Sequence, residues 1–106
     1  MVEVDLLYEL MPNVDQNAYQ EWAKRTIGFV LKSPGIIEFR AYRNILGSPY
    51  VRSTTVWKTL ADWANFDESA GWKAAEAELR AKYGVDVRVE LWGPSPIVPE
   101  PLRPGK

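Results

Sequence analysis

Six side chains suited to holding a small organic molecule lie in the middle of this sequence: Arg40, Tyr42 and Arg52, then Trp63, Asn65 and Trp72. An arginine can hold an anionic or phenolate oxygen, a tyrosine can relay a proton, and paired tryptophans can form a flat apolar wall. Together they suit a small aromatic ligand. Each also has a plainer use. Trp63 and Trp72, nine residues apart, can be core, because large aromatics dominate core burial. Asn65 can cap a helix break. Arg40 and Arg52 can pair with Glu38 or Glu9, and Tyr42 can be an interface residue. Spacing singles out none of the six as a catalytic group.

The chemistry that is missing narrows the field. The chain has no histidine and no cysteine. Ser-His-Asp and Cys-His nucleophile systems, thiolate and histidine zinc sites and histidine-ligated haem are therefore excluded. No Asp-rich loop or Gly-rich phosphate cradle is present either, so no metal site is expected. Any catalysis must use Asp, Glu, Tyr, Lys or Arg. A net charge of −1 gives no footprint for nucleic acid or anionic membrane. No apolar run approaches the roughly 18 residues of a membrane span, and no signal peptide is visible. The expectation is a cytoplasmic protein of one compact domain, with 46% apolar and 25% charged residues.

The elements that must position the six residues can be read from periodicity. Val2 to Met11 alternates, with Val4, Leu6 and Tyr8 on one face and Asp5, Leu7 and Glu9 on the other, as in a half-buried strand. Asn13 or Asp15 then caps a helix whose stripe includes Tyr19, Trp22, Ile27 and Val30, and Ser33-Pro34-Gly35 stops it. Ile36 to Ile45 is a second strand with Ile37, Phe39 and Ala41 on one face. The turn Leu46-Gly47-Ser48-Pro49 leads into a third, Tyr50 to Lys58. Thr59 caps a short helix with Asp62 in its first turn. Asp67-Glu68-Ser69 breaks it, and Trp72, Ala75, Leu79 and Tyr83 continue at helical spacing to Gly84. Glu76 with Arg80, and Glu78 with Lys82, are spaced as i,i+4 pairs. In Val85 to Trp92, the residues Val85, Val87, Val89 and Leu91 are expected inward.

This order predicts a ferredoxin-like α+β fold, β-α-β-β-α-β, with a four-stranded antiparallel sheet and both helical segments on one face. The domain spans residues 1–93. Residues 94–106 carry five of the eight prolines and form an extended tail. The sheet face away from the helices mixes Leu7, Met11, Ile36, Tyr42 and Trp92 with charges. Such a face favours a second copy of the chain as its cover, hence a homodimer. The tail can lie along that partner through Ile97, Val98 and Leu102, or present Pro96 and Pro99 as a Pro-x-x-Pro motif.

The pattern resembles the dimeric α+β barrel superfamily, most closely the antibiotic biosynthesis monooxygenase-like group. The resemblance covers about residues 2 to 93, chiefly as element order, and its most specific part is residues 56–72. There Trp57 ends a strand, Thr59-Leu60-Ala61-Asp62 opens a short helix, and Ser69 precedes a second. Where that group commonly has histidines, this chain has Asn65 or Phe66 and Gly71 or Trp72. The resemblance implies cofactor-independent oxidation of an electron-rich aromatic or polyketide-like substrate by O₂, in a pocket between sheet and helices. Haem-degrading relatives need a histidine ligand, which disfavours that branch. Other relatives are stress-associated barrels without known activity, so a non-catalytic ligand-binding barrel is the alternative.

Overall fold

A computed structural model describes residues 1–105; Lys106, the end of the expected tail, lies outside the described residues. The elements are β1 (Val2–Leu10), α1 (Gln16–Leu31), β2 (Ile36–Arg43), β3 (Val51–Trp57), α2 (Leu60–Glu68), α3 (Ala70–Glu78) and β4 (Gly84–Trp92). Their sheet runs β2-β3-β1-β4, antiparallel throughout, which is the ferredoxin-like arrangement. No helix among the described residues is long and apolar enough to cross a membrane.

Alternation places Val4, Leu6 and Tyr8 on the inner face, toward the helices, and two aromatic clusters form there. Trp57, with no exposed surface, joins Val4, Val30, Phe66 and Trp72. Leu79, equally buried, joins Tyr8, Trp22 and Tyr83. The Trp22 indole Nε1 donates to the carbonyl of Ala75 at 3.0 Å, so burying that ring leaves no unpaired donor and ties α1 to α3.

The helix ends follow from local hydrogen bonding. Asp15 rather than Asn13 caps α1, accepting from the Ala18 amide at 3.1 Å. Asn13 instead sits in the turn at φ 59°, a conformation asparagine tolerates. The Thr59 hydroxyl accepts from the Asp62 amide at 3.1 Å and starts α2. Ser69 closes one helix and opens the next: its hydroxyl donates to the Phe66 carbonyl at 2.6 Å and accepts from the Trp72 amide at 3.3 Å. After α3 the chain widens into a π turn, Leu79–Tyr83, before β4.

Two bulges change the expected faces. Between Ile36 and Glu38 the β2–β3 register shifts by one residue, so Ile36 packs into the core with Phe39 while Ile37 is 43% exposed. A second shift, between Leu7 and Glu9, pairs Val85 with Glu9. Asp86, at φ 53°, absorbs it, and Val85 leaves the inner row while Val87 stays against the core. Glu76 and Arg80 do pair, at 3.3 Å. Glu78 takes Arg25 of α1 at 3.4 Å instead of Lys82.

Candidate functional site

The seam between the inner sheet face and α2 holds a cavity of about 40 Å³. Trp63 and Asp67 enter it from α2 and Trp72 from α3; Ser53 and Thr55 line it from β3. The Thr55 hydroxyl accepts from the Trp57 indole at 2.7 Å, whereas Asp67 makes no ion pair with any described residue. A carboxylate and two hydroxyls between tryptophans are unusual lining for a sheet–helix seam, since polar groups there must find partners.

Two glycines set α2 and α3 at this seam. Gly35, at φ +87°, passes so close to α2 that a Cβ would lie 2.3 Å from Asp62 Cγ. Only glycine combines that backbone angle with that approach. Its carbonyl accepts from the Lys58 amide at 2.8 Å, which anchors the strand-to-helix corner. Gly71 lets α3 approach α1, because a Cβ there would meet the Phe29 ring at 2.5 Å.

The six ligand-binding residues expected from the sequence fall in three places. Trp63 and Trp72 meet at the cavity. Asn65, on the other side of α2, borders a surface groove of about 270 Å³ together with Phe29, Lys32, Pro34 and Phe66. Arg40, Tyr42 and Arg52 lie on the outer sheet face, in the rows that pair Arg40 with Thr54 and Tyr42 with Arg52. The sheet separates them from the cavity.

On the outer face these residues have partners. Arg40 lies 2.5 Å from Glu3 and 2.9 Å from Glu38. The Glu3 hydrogen bond raises the guanidinium pKa above its usual value. Arg52 Nε donates to Asp5 at 3.1 Å, and its guanidinium stacks 4.9 Å from the centre of the Tyr42 ring. Asp5 is only 5% exposed and also accepts from Thr54 Oγ1 at 2.6 Å. Beside this network a concavity of about 550 Å³ opens between Leu7, Glu90 and Trp92. The tail turns back at Ser95, whose hydroxyl accepts from the Ile97 and Val98 amides, and brings Pro99 and Pro101 near Arg40 on the chain's own outer face.

Asp67, Ser53 and Thr55 were not legible as site residues. Asp67 reads as a helix-breaking signal beside Glu68 and Ser69, yet it follows Trp63 by four residues and so shares its helical face. That spacing was the available clue. The tyrosine cluster takes no part in the cavity. Tyr8 and Tyr19 share a hydrogen bond of 2.6 Å, and burial raises both hydroxyl pKa values, that of Tyr8 well above the usual tyrosine range. They stay protonated at neutral pH and serve as donors and acceptors, not as bases.

No family model matches the sequence, and no curated protein is similar to it. Solved structures do match. The chain has the fold of the antibiotic biosynthesis monooxygenase-like, dimeric α+β barrel proteins. One is a monooxygenase of that description from Deinococcus radiodurans, inferred for that protein, at TM-score 0.78 and 10% identity over 100% of both chains. Another is SnoaB, a cofactor-independent oxygenase from Streptomyces nogalater, at TM-score 0.71 and 16% identity, covering 93% of this chain and 97% of that one. A hypothetical protein from Arabidopsis thaliana matches at TM-score 0.78 and 13% identity, over 89% of this chain and 88% of that one. At these identities the likeness is one of fold.

Proposed function

We propose that this chain is a cofactor-independent oxygenase of small, electron-rich aromatic or polyketide-like molecules, held between the inner sheet face and α2. The observation that carries this reading is the joint placement of Asp67, Ser53 and Thr55 between Trp63 and Trp72. In such a reaction the substrate supplies all the electrons. A ring-flanked methylene becomes a carbonyl with one atom of O₂, and the other atom leaves as water. Asp67 would accept a substrate proton, whose loss leaves the ring as an electron-rich anion, the hydroxyls would bond the ring oxygens, and the tryptophans would stack on the faces. A cavity of about 40 Å³ holds roughly one water, so substrate entry requires the half-buried Trp63 ring to move outward.

Oxygen uptake with hydroquinones and ring-flanked methylenes tests the reading. General-base loss in Asp67→Asn should lower kcat/KM by about 10²-fold or more. Uptake that is absent in the unaltered protein, or unchanged in Asp67→Asn and Trp63→Ala, would overturn it. The small cavity volume favours a second reading, a ligand-binding barrel without catalysis. Binding of an aromatic ligand at the Trp63 seam with no oxygen consumed would select it.

We also propose that the outer face pairs two copies of the chain. Tyr42 and Trp92 remain 45% and 55% exposed beside the buried Asp5, a mixed surface suited to a twofold partner. Light scattering after size exclusion should give twice the chain mass; a clean monomer at micromolar concentration would refute the pairing.

A further inference from the structure

The groove outside α2 has no part in the reading above, although it borders the same side chain. Phe66 lines both the 270 Å³ groove and the 40 Å³ cavity. Its ring sits 5.7 Å from Phe29 on the groove side, and 4.9 and 5.3 Å from Trp57 and Trp72 on the core side. One aromatic ring is therefore the partition between two spaces. Alone the cavity is too small for an organic ligand, while the groove nearly reaches the ~300 Å³ at the lower end of small-molecule sites.

The lining of the groove defines a ligand. Phe29, Pro34 and Phe66 supply flat apolar surface. The polar groups divide into committed and uncommitted ones. Ser33 donates to the Phe29 carbonyl, Ser69 is spent on its two helix ends, and Asp62 accepts from Thr59. Lys32 and Asn65 also border the groove, and Lys32 has no ion-pair partner among the described residues. A cation and an amide at the rim of an apolar slot complement an anionic oxygen on an aromatic ring. The Asp62 carboxylate also borders the slot and selects against a second negative charge on the same ligand.

We propose that this groove is a binding subsite for a planar aromatic monoanion, a carboxylate or phenolate, with Lys32 and Asn65 on its oxygen and the Phe66 ring dividing it from the inner cavity. The inference rests on the oxygenase reading only in that the groove would receive the substrate's outer ring; binding itself requires no turnover.

The test is a titration of the full chain with 2-naphthoate, and with the neutral 2-naphthylmethanol, followed by amide chemical-shift mapping. Shifts should centre on Phe29, Lys32 and Asn65, and naphthoate should bind more tightly than the alcohol. Lys32→Met should weaken naphthoate about tenfold, as for loss of one charge-assisted hydrogen bond, and leave the alcohol unchanged. Phe66→Leu, or Phe66→Ala where that variant folds, should extend the shifts to Trp63 and Thr55 as the partition opens. No binding, shifts confined to the outer sheet face, or equal affinity for acid and alcohol would each overturn the subsite. Naphthoate binding in the groove without oxygen uptake on any substrate would leave the subsite standing and remove the oxygenase. Uptake that persists unaltered in Lys32→Met, with no groove shifts, would do the reverse.

Discussion

The two faces of the sheet solve opposite problems with the same strands. The inner face is closed by α1, α2 and α3, and its interior is mainly aromatic: Trp57, Phe66 and Trp72 in one cluster, Tyr8, Trp22 and Tyr83 in the other. The outer face has no helix over it and holds its order through charge. Arg40 spans Glu3 and Glu38, and Arg52 joins Asp5 to the Tyr42 ring. Apolar contact, being non-directional, leaves little empty space, and the inner cavity is about 40 Å³. Ion pairs need fixed geometry and hydration, and the outer concavity is about 550 Å³. This domain draws its stability mainly from the aromatic inner face and holds the outer one, which no helix covers, through ion pairs.

The largest effect should therefore come from the inner face. Trp57→Ala removes a side chain with no exposed surface, and urea unfolding should show a loss of about 3–5 kcal/mol. An outer-face truncation of equal cost would break the comparison.

Next comes the buried Asp5 carboxylate of the outer face. Asp5→Ala leaves the fully buried Thr54 hydroxyl without its acceptor and should cost about 1–3 kcal/mol in the same measurement. Arg52→Ala should cost less, because that guanidinium is half exposed.

A pH series separates the faces by a different property. Burial, then the Tyr19 hydrogen bond, raise the Tyr8 pKa in the folded chain above that of the unfolded chain, near 10. Below pH 10 both states hold the proton and nothing changes. Above it the unfolded chain releases the proton first and binds fewer, so stability falls by about 1.4 kcal/mol per pH unit for this one group. Unfolding at pH 9, 10 and 11 checks the slope, and Tyr8→Phe should make it shallower, leaving the smaller part due to Tyr19 and Tyr83.

The smallest effect belongs to the exposed helix surface. Arg80→Ala breaks the Glu76 pair and should cost about 0.3–0.5 kcal/mol in low salt, and less when salt is added.

Much of the fold was legible because its signals are local. Alternation in Val2–Leu10, the Thr59 cap with Asp62, and the Ser69 break each depend on residues within a few positions of one another. The misread faces involve partners far along the chain. Ile37 and Val85 look inward by parity, but the register is set by β3 and β1, and one extra residue at a bulge reverses the face. The candidate site suffered in the same way. Trp63 and Trp72 were visible by type, whereas Asp67 has the local signature of a helix breaker and joins the site only because α2 lays its Trp63 face on Ser53 and Thr55. Arg40 and Tyr42 were visible too, and their alternation with Phe39 and Ala41 already put them on the face away from the helices, whereas the side taken by Arg52 was decided by its pairing with Tyr42.

The sequence by itself determined the order of elements, their caps and the absence of histidine and thiol chemistry, because these follow from residue type and short-range periodicity. Tertiary structure alone decided that the dense aromatic run at residues 56–72 is split. Trp57, at the end of its strand, is the core pillar its position suggests, but only the packed helices made Trp63 and Trp72 the walls of a small cavity and Phe66 the ring between that cavity and the groove. The physical reason is that side-chain direction on a helix is fixed by its axis, and the axis of α2 is fixed by a contact 27 residues upstream, where Gly35 leaves room only for Asp62.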